Sequence, residues 1–272
     1  MNLAELFFEF SHEGRYNLFK SLCLENKKHS QLQKELNIPG PEISRHLKRL
    51  CEKNLIKKSF DGQYQITNVG KIFIGIIDVF EIVVDHKEFF NTHDITSIPL
   101  TLMYQLGKLK TVESSDKTLE NIELWSNLVR NSEEFIFAVS NEMQNSLLPI
   151  IERKLDDHSM EIRALIDKHV LKTYTIPEKL SATFNDPNAF YKKINLFENV
   201  RFLKEINFSL LVSDSGAILF LSKDGKIDYS QCLIDYHIPF LEWAKSLFEW
   251  YWNKSKKIKP YIKKELQAAN QS

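Results

Sequence analysis

The sequence predicts an α/β chain, α+β overall, with a small and mostly helical part ahead of a larger mixed-sheet part. Three observations carry this. Two amphipathic helical stretches are separated by Ile38-Pro39-Gly40-Pro41, a segment that must turn; two short strand-like runs follow them, joined through Asp61-Gly62; and from Ser114 onward helical stripes alternate with apolar runs of strand length. At 272 residues there is chain enough for two ordinary domains, each with its own core. The expected division is a first domain over 1–90 including a linker and dimerisation helix, a linking helix in 91–113, an α/β domain over 114–258, and a basic, polar tail at 259–272.

Taken in order, Leu3 to Phe10 and Arg15 to Leu24 read as helices broken around Ser11 to Gly14, with Leu18, Phe19, Leu22 and Cys23 at helical spacing. Ser30 is the expected cap of the next helix, with Gln33 reaching back to it and Leu32 and Leu36 facing inward. Proline disfavours helical geometry in the residue before it, so this helix ends by Ile38, while Pro41 suits the first turn of a new one. In that second helix Ile43, Leu47 and Leu50 form one stripe, which turns Glu42, Ser44, Arg45, His46, Lys48 and Arg49 outward or sideways. Leu55 to Ser59 and Gln63 to Thr67 then form a hairpin, since Asp-Gly tolerates the positive φ of a tight turn. Helix, turn, basic helix and hairpin in that order describe a winged helix-turn-helix.

Such an outer face, dense in hydrogen-bond donors, suits a DNA groove. Arg45 and His46 are the expected base readers, with Ser44 beside them. Lys48, Arg49, Lys57 and Lys58 are the expected phosphate contacts, and the wing tip around Gly62-Gln63 is expected at the neighbouring minor groove. A basic helix surface that is merely solvated, or a module that binds protein, remains the alternative.

After the wing, Asn68 to Phe89 carries an apolar stripe too wide for a lone surface helix, so a second copy or the rest of the chain must cover it; a homodimer would match two-fold operators. Asn91 to Asp94 is a polar break in which Asp94 serves as a cap, and Ile95 to Leu109 is expected to be helical. Beyond Ser114 come a helix through Leu119 and Val129, a strand at Glu134 to Ser140, a helix through Leu147 and Leu155, and a strand at Met160 to Asp167. Strand, helix, strand implies a parallel pair. Val200 to Leu203, Phe208 to Ser213 and Ala217 to Ser222 are further strands, the last two joined by Asp214-Ser215-Gly216, and a helix from about Pro239 runs to Trp252. The aromatic set Phe135, Phe137, Phe202, Trp243 and Phe248 permits a small-molecule pocket and equally a plain core.

Composition excludes several classes. Lys plus Arg equals Asp plus Glu at 36 each, but residues 1–71 hold 12 basic and 8 acidic side chains, so the first part is positive and the rest negative. Three separated cysteines, Cys23, Cys51 and Cys232, form neither a disulfide framework nor a thiolate metal site, and a reducing cytoplasm fits them. The most apolar stretch, Ile72 to Val84, contains Asp78 and Glu81 and is too short to span a bilayer, so no membrane role is expected. Asp94, Asp167 and Asp214 are scattered and lack a supporting His or Lys motif; no catalytic residue, metal ligand or cofactor is assigned, and the chain is not expected to be an enzyme.

Several motifs together resemble a family. The first part looks like an archaeal ArsR-type winged helix. Phe89-Phe90-Asn91-Thr92-His93-Asp94 followed by Ile98-Pro99, the strand Phe135 to Ser140, and Trp243 to Tyr251 are similar to the methanogenesis-regulatory-protein group of archaeal transcription regulators. The resemblance implies a cytoplasmic regulator whose second domain senses a signal, such as a small-molecule effector of unknown identity, or builds the oligomer. It also suggests a phospholipase-D-like sheet without its catalytic motif, because no His-x-Lys occurs beyond Ser114: Ser159-Met160 follow His158, and Val170-Leu171 follow His169. An architectural DNA-binding dimer with no effector and a phosphodiesterase-like enzyme are the rival readings.

Overall fold

The computed structural model describes residues 2–142, 144–157, 160–167, 170 and 196–258. The chain forms two compact units, Met1–Glu81 and Ile82–Ser272. The expected tail at 259–272 lies outside the described residues, as do His158 and His169. Among the described residues no helix is long and apolar enough to cross a membrane.

In the first unit α1 (Leu3–Phe10), α2 (Glu13–Leu24), α3 (His29–Leu36) and α4 (Gly40–Glu52) enclose Leu6, Leu18, Phe19, Leu22, Leu32, Ile43, Leu47 and Leu50, so the stripes read from the sequence are the core. Asn37 takes a left-handed conformation (φ 51°) that ends α3, and Pro41 falls in the first turn of α4. The hairpin is present as β2 (Ile56–Lys58) and β3 (Gln63–Ile66). Its turn closes with the Gly62 N–H donating to Ser59 O at 3.1 Å and Gly62 at φ 82°. Two features differ from expectation. Lys28, not Ser30, precedes α3, and Gln31 rather than Gln33 reaches back to it, its Oε1 accepting from the Lys28 N–H at 2.7 Å. Lys27–Lys28 also form a strand, β1, on the other side of β3, giving the order β1-β3-β2. A two-residue strand has no periodicity to betray it.

The long helix α5 (Asn68–Asp85) follows the wing directly. Thr67 caps it, accepting from the Gly70 N–H at 3.0 Å while its own hydroxyl donates to Asn54 O at 2.6 Å. The backbone passes so close here that a Cβ on Gly70 would fall 2.2 Å from Leu55 O, a position only glycine can hold.

Among the described residues the second unit is built on one nine-stranded mixed sheet. Its strands are β4 (Glu113–Ser115), β5 (Phe135–Ser140), β6 (Glu161–Ile166), β7 (Val200–Phe202), β8 (Phe208–Ser213), β9 (Gly216–Lys223), β10 (Lys226–Ile227), β11 (Cys232–Asp235) and β12 (Lys256–Lys257). The order is β12-β7-β6-β5-β8-β9-β11-β4, with β10 paired to β9. β5 and β6 are parallel, as the strand-helix-strand reading required, and the crossover carries α9 (Leu148–Asp157), which follows α6 (Lys87–Thr92), α7 (Leu100–Met103) and α8 (Thr118–Asn131) in the chain. β8 and β9 are the expected hairpin, and every residue of β8 is buried because both faces of the sheet are covered. Leu128 and Val129 of α8 share one core with Ile136, Leu211, Ile218 and Phe220. A last helix, numbered α11 after α10 (Leu196–Asn199), spans Ile238–Lys254 and lays Phe248 against Phe137 with ring centroids 5.0 Å apart.

The helix expected over 95–109 is broken into α7 and a 3-10 turn at Leu106–Leu109. This segment is no free linker: Leu102, Leu106 and Leu109 are buried, and the Trp243 indole N–H donates to Leu102 O at 3.0 Å. Asp94 turns the chain locally, its Oδ1 accepting from the Thr96 N–H at 2.8 Å. Asp214 is structural too. Its carboxylate accepts from the backbone N–H groups of Glu133, Glu134 and Phe135 at 2.9, 3.1 and 3.2 Å, which fixes the start of β5. Burial alone would raise its pKa, but these backbone donors outweigh it and hold the group below the usual carboxylate range. Asp214→Ala leaves those donors without their charged acceptor; the expected loss is about 2–3 kcal/mol, read as a lower urea midpoint with an unchanged slope.

Candidate nucleic-acid interface

The surface of α4 is divided among four directions. Ile43, Leu47 and Leu50 enter the core. Ser44, Arg45 and Lys48 are exposed at one- and three-residue spacing, so they share the outward face. Ser44 is additionally tied to the start of α3, with its Oγ 2.9 Å from His29 Nε2. Lys48 is exposed and 3.9 Å from Glu52, one turn along.

Two residues expected on the outer face are elsewhere. His46 is only 2% exposed. Its ring packs against that of His12 at 4.6 Å between centroids, and its Nε2 lies 3.2 Å from Glu42 Oε1. Burial is the main reason its pKa lies below the ordinary imidazole value, with the Glu42 hydrogen bond opposing. A neutral ring turned inward cannot read a base edge. His46 sits at the margin of the apolar stripe, one residue before Leu47, and 3.6-residue periodicity alone does not decide such a position.

Arg49 is the second. Its Nε and Nη2 donate to the two carboxylate oxygens of Glu9 at 2.8 and 2.7 Å, a fork-to-fork pair joining α4 to α1. Glu9, which is 1% exposed, also takes Arg15 Nε at 3.1 Å, while Arg15 donates back to Glu9 O and Phe8 O. The Arg49 hydrogen bonds are the first cause of the lowered Glu9 pKa, against the opposing effect of burial. Arg49 is therefore a strut of the scaffold. Sequence reasoning missed Glu9, although Leu6 and Glu9 stand three apart on one face of a short apolar helix, where a carboxylate must find a cation.

α4 delivers the chain straight into the wing. Asn54 adopts φ 57°, the Leu55 N–H donates to Leu50 O at 3.0 Å and the Asn54 N–H to Cys51 O at 2.9 Å, closing the helix end with a left-handed residue. On β2, Ile56 enters the core while Lys57 and Lys58 are exposed, and Lys58 Nζ sits 5.5 Å from the Tyr64 ring centre. Gln63 is half-buried at the start of β3, and Phe60 projects fully into solvent at the tip.

Of the aromatic set of the second unit, Phe135, Phe137 and Phe248 are brought together. Phe137, Phe202, Trp243 and Phe248 are buried and Phe135 half-buried, with Phe135 and Phe137 centroids 5.0 Å apart. Phe137 also stacks on Phe248 at 5.0 Å, and the Lys245 ammonium lies 4.5 Å from the Phe135 ring centre, so these three rings pack as a core would.

The fold thus pairs a winged helix-turn-helix carrying an exposed basic face with a mixed α/β domain. Residues 12–58 match the family described as bacterial regulatory protein, arsR family, and residues 120–254 match the middle domain of methanogenesis regulatory protein FilR1. The first unit contains an ArsR-type helix-turn-helix domain and the second a FilR1 middle domain. Over 268 residues the chain is 24% identical to Methanogenesis regulatory protein FilR1 of Methanothrix harundinacea (strain 6Ac), covering 91% of this chain and 56% of that protein. It spans about half the length of that curated relative. Among solved structures, TrmBL2, described as an archaeal chromatin protein with a novel mode of DNA binding, shares 13% identity over 88% of this chain and 92% of its own, with a TM-score of 0.41. An O-methyltransferase family protein from Burkholderia thailandensis shares 8% over 76% and 65%, with a TM-score of 0.25. Likenesses this remote carry no argument about this chain.

Removing the Glu9 carboxylate strands two guanidinium groups. Glu9→Ala is expected to cost about 3 kcal/mol, measured by urea unfolding at neutral pH. Because the folded pKa of Glu9 lies below its ordinary value of 4.5, its contribution is complete above that pH and is lost as pH falls through the folded value. Glu9→Gln should accordingly flatten the acid limb of unfolding midpoint against pH, and an unaltered limb would remove Glu9 from this role.

Proposed function

We propose that the chain binds double-stranded DNA in a sequence-dependent manner and regulates transcription. α4 lies in the major groove, Arg45 reads base edges with Ser44 beside it, and Lys48, Lys57 and Lys58 neutralise phosphates. Gln63 and the wing tip lie at the adjacent minor groove. The observation that carries this reading is the coincidence of exposed Ser44, Arg45 and Lys48 on α4 with exposed Lys57 and Lys58 on the strand that leaves it, in a domain matched to a family of regulatory proteins. Arg49 and His46 belong to the scaffold on this reading, which leaves Arg45 as the planar, bidentate donor suited to guanine.

The reader works as a homodimer. One side of α5 is exposed at four-residue spacing, Ile72 at 67%, Ile76 at 46% and Phe80 at 51%, while Phe73 and Ile77 on its other side pack into the core. Phe7 of α1 adds to this face, 6.3 Å from the Phe80 ring centre, with Leu3 exposed a turn earlier. Salt bridges from Lys20 to Asp78 at 3.2 Å and to Glu81 at 2.6 Å hold α5 to α2, so the face is presented rigidly. A contiguous apolar strip of this kind is supported by burial against its own copy, and a two-fold pair places two readers on one duplex. The second unit, matched to the middle domain of a protein named as a regulatory protein, supplies the control of that pair through an effector or through assembly.

Two measurements test this. In binding to selected genomic fragments, Arg45→Ala should relax sequence preference, whereas Lys57→Ala should weaken all sequences alike and lower the salt slope by about one unit. Binding untouched by both substitutions rejects the interface, and wild-type binding without sequence discrimination supports the architectural alternative. In sedimentation velocity, Ile72→Asp with Ile76→Asp should convert a dimer into a folded monomer; a wild-type monomer at the concentrations that bind DNA would reject the dimer.

A further inference from the structure

Beside the exposed basic face, α4 carries a constellation that this functional reading leaves unused. His12, the residue before α2, and Glu42 and His46, one turn apart on α4, each offer a ligand atom, and these atoms all lie within 4.8 Å of one another. We propose that His12, Glu42 and His46 form a binding site for a divalent transition-metal ion of the zinc class, which clamps the start of α2 to the first turns of α4.

The donor chemistry fits. Two imidazoles and one carboxylate are a ligand set for a borderline-soft divalent ion, with a fourth position left for water. Glu42 and His46 stand at i and i+4, so they project from the same face of α4 and need no loop movement to converge. His46 Nε2 lies 3.2 Å from Glu42 Oε1, and the two rings meet at an interplanar angle of 59° with centroids 4.6 Å apart. The ring is held at this edge alone, because His46 Nδ1 is buried without a hydrogen-bond partner.

The space for the cluster is made by a missing side chain. A Cβ on Gly14 would fall 3.1 Å from His46 Nε2 and 3.4 Å from His12 Cε1, so the backbone of α2 approaches both rings where any other residue would crowd them. His12 is exposed and Glu42 half-buried, which leaves a route for an ion from solvent to a ring that is itself buried. An ion there would bridge two helices that otherwise meet through apolar contacts and the Glu9 pair.

The test uses the full chain stripped with a chelator and titrated with zinc ion alone, by calorimetry and by thermal unfolding with and without the ion. Wild type is expected to take up an ion that raises its unfolding temperature. His12→Asn keeps a capping residue at an exposed position, and Glu42→Gln keeps the shape of the carboxylate; each should weaken zinc binding by about tenfold or more and abolish the thermal shift while leaving unfolding in chelator unchanged. Zinc uptake and thermal shift equal in wild type and both variants would overturn the site, as would the absence of zinc binding in wild type. His46→Gln, whose ring is buried, serves only as a third variant if it unfolds at the wild-type temperature in chelator.

Discussion

A single buried carboxylate sets the geometry of the first unit. Apolar burial draws α1, α2 and α4 together, but it is non-directional and would tolerate rotation of α4 about its axis. The Glu9 pair does not. Its two oxygens accept from one planar guanidinium on α4 at 2.8 and 2.7 Å, and one of them pairs at 3.1 Å with a second on α2 that donates to the Glu9 backbone carbonyl, a pattern met at one rotation of each helix. The desolvation of Glu9 offsets much of the Coulombic gain, so the pair contributes more to orientation than to net stability. With Arg49 fixed on α1, the residues one and four positions before it, Lys48 and Arg45, are fixed facing out.

The same rotation is passed on to the hairpin by backbone geometry. α4 ends on a left-handed Asn54, and the next residue donates back into the helix at Leu50 O, so the strand starts in a set direction. Thr67 then closes the wing, donating through its hydroxyl to Asn54 O and capping α5. Helix, hairpin and α5 are thereby one continuous hydrogen-bonded path around Asn54, Leu55 and Thr67. Gly70 is required where that path is narrowest.

Much of this was legible in the sequence, for physical reasons that differ by element. α4 and the hairpin were readable because proline, glycine and an Asp-Gly pair act locally and leave little choice of backbone. β5, β8 and β9 were readable because central strands are largely apolar runs, and β6 because Ile162, Ala164 and Ile166 alternate along it. β1, β4, β11 and β12 were not, since strands of two to four residues are defined by their partners rather than by a pattern. The segment after Asp94 misled because Leu100, Met103 and Leu106 keep helical spacing across two turns that are not one helix. At the interface Ser44, Arg45, Lys48, Lys57 and Lys58 were exposed as expected, because each lies well away from an apolar stripe. His46 and Arg49 flank that stripe, and their directions are decided by His12 and Glu9, residues more than thirty positions away.

That redistribution changes the electrostatic argument. Residues 1–71 carry an excess of basic side chains, yet Arg15 and Arg49 face Glu9, Lys27 faces Glu35, Lys53 faces Glu5, and Lys20 faces Asp78 and Glu81. The exposed cations left on α4 and β2 are then Arg45, Lys48, Lys57 and Lys58. On the proposed function Arg45 is given to a base edge, and a reader with the remaining roughly three phosphate contacts releases few counterions and binds weakly at physiological salt. In the proposed dimer two readers would double the contacts, and the second would engage at the high effective concentration set by the first. The exposed strip on α1 and α5 and the modest basic face on α4 thus support the proposed dimer together: the strip offers a surface to a second copy, and a second copy would double the few cations that α4 and β2 expose.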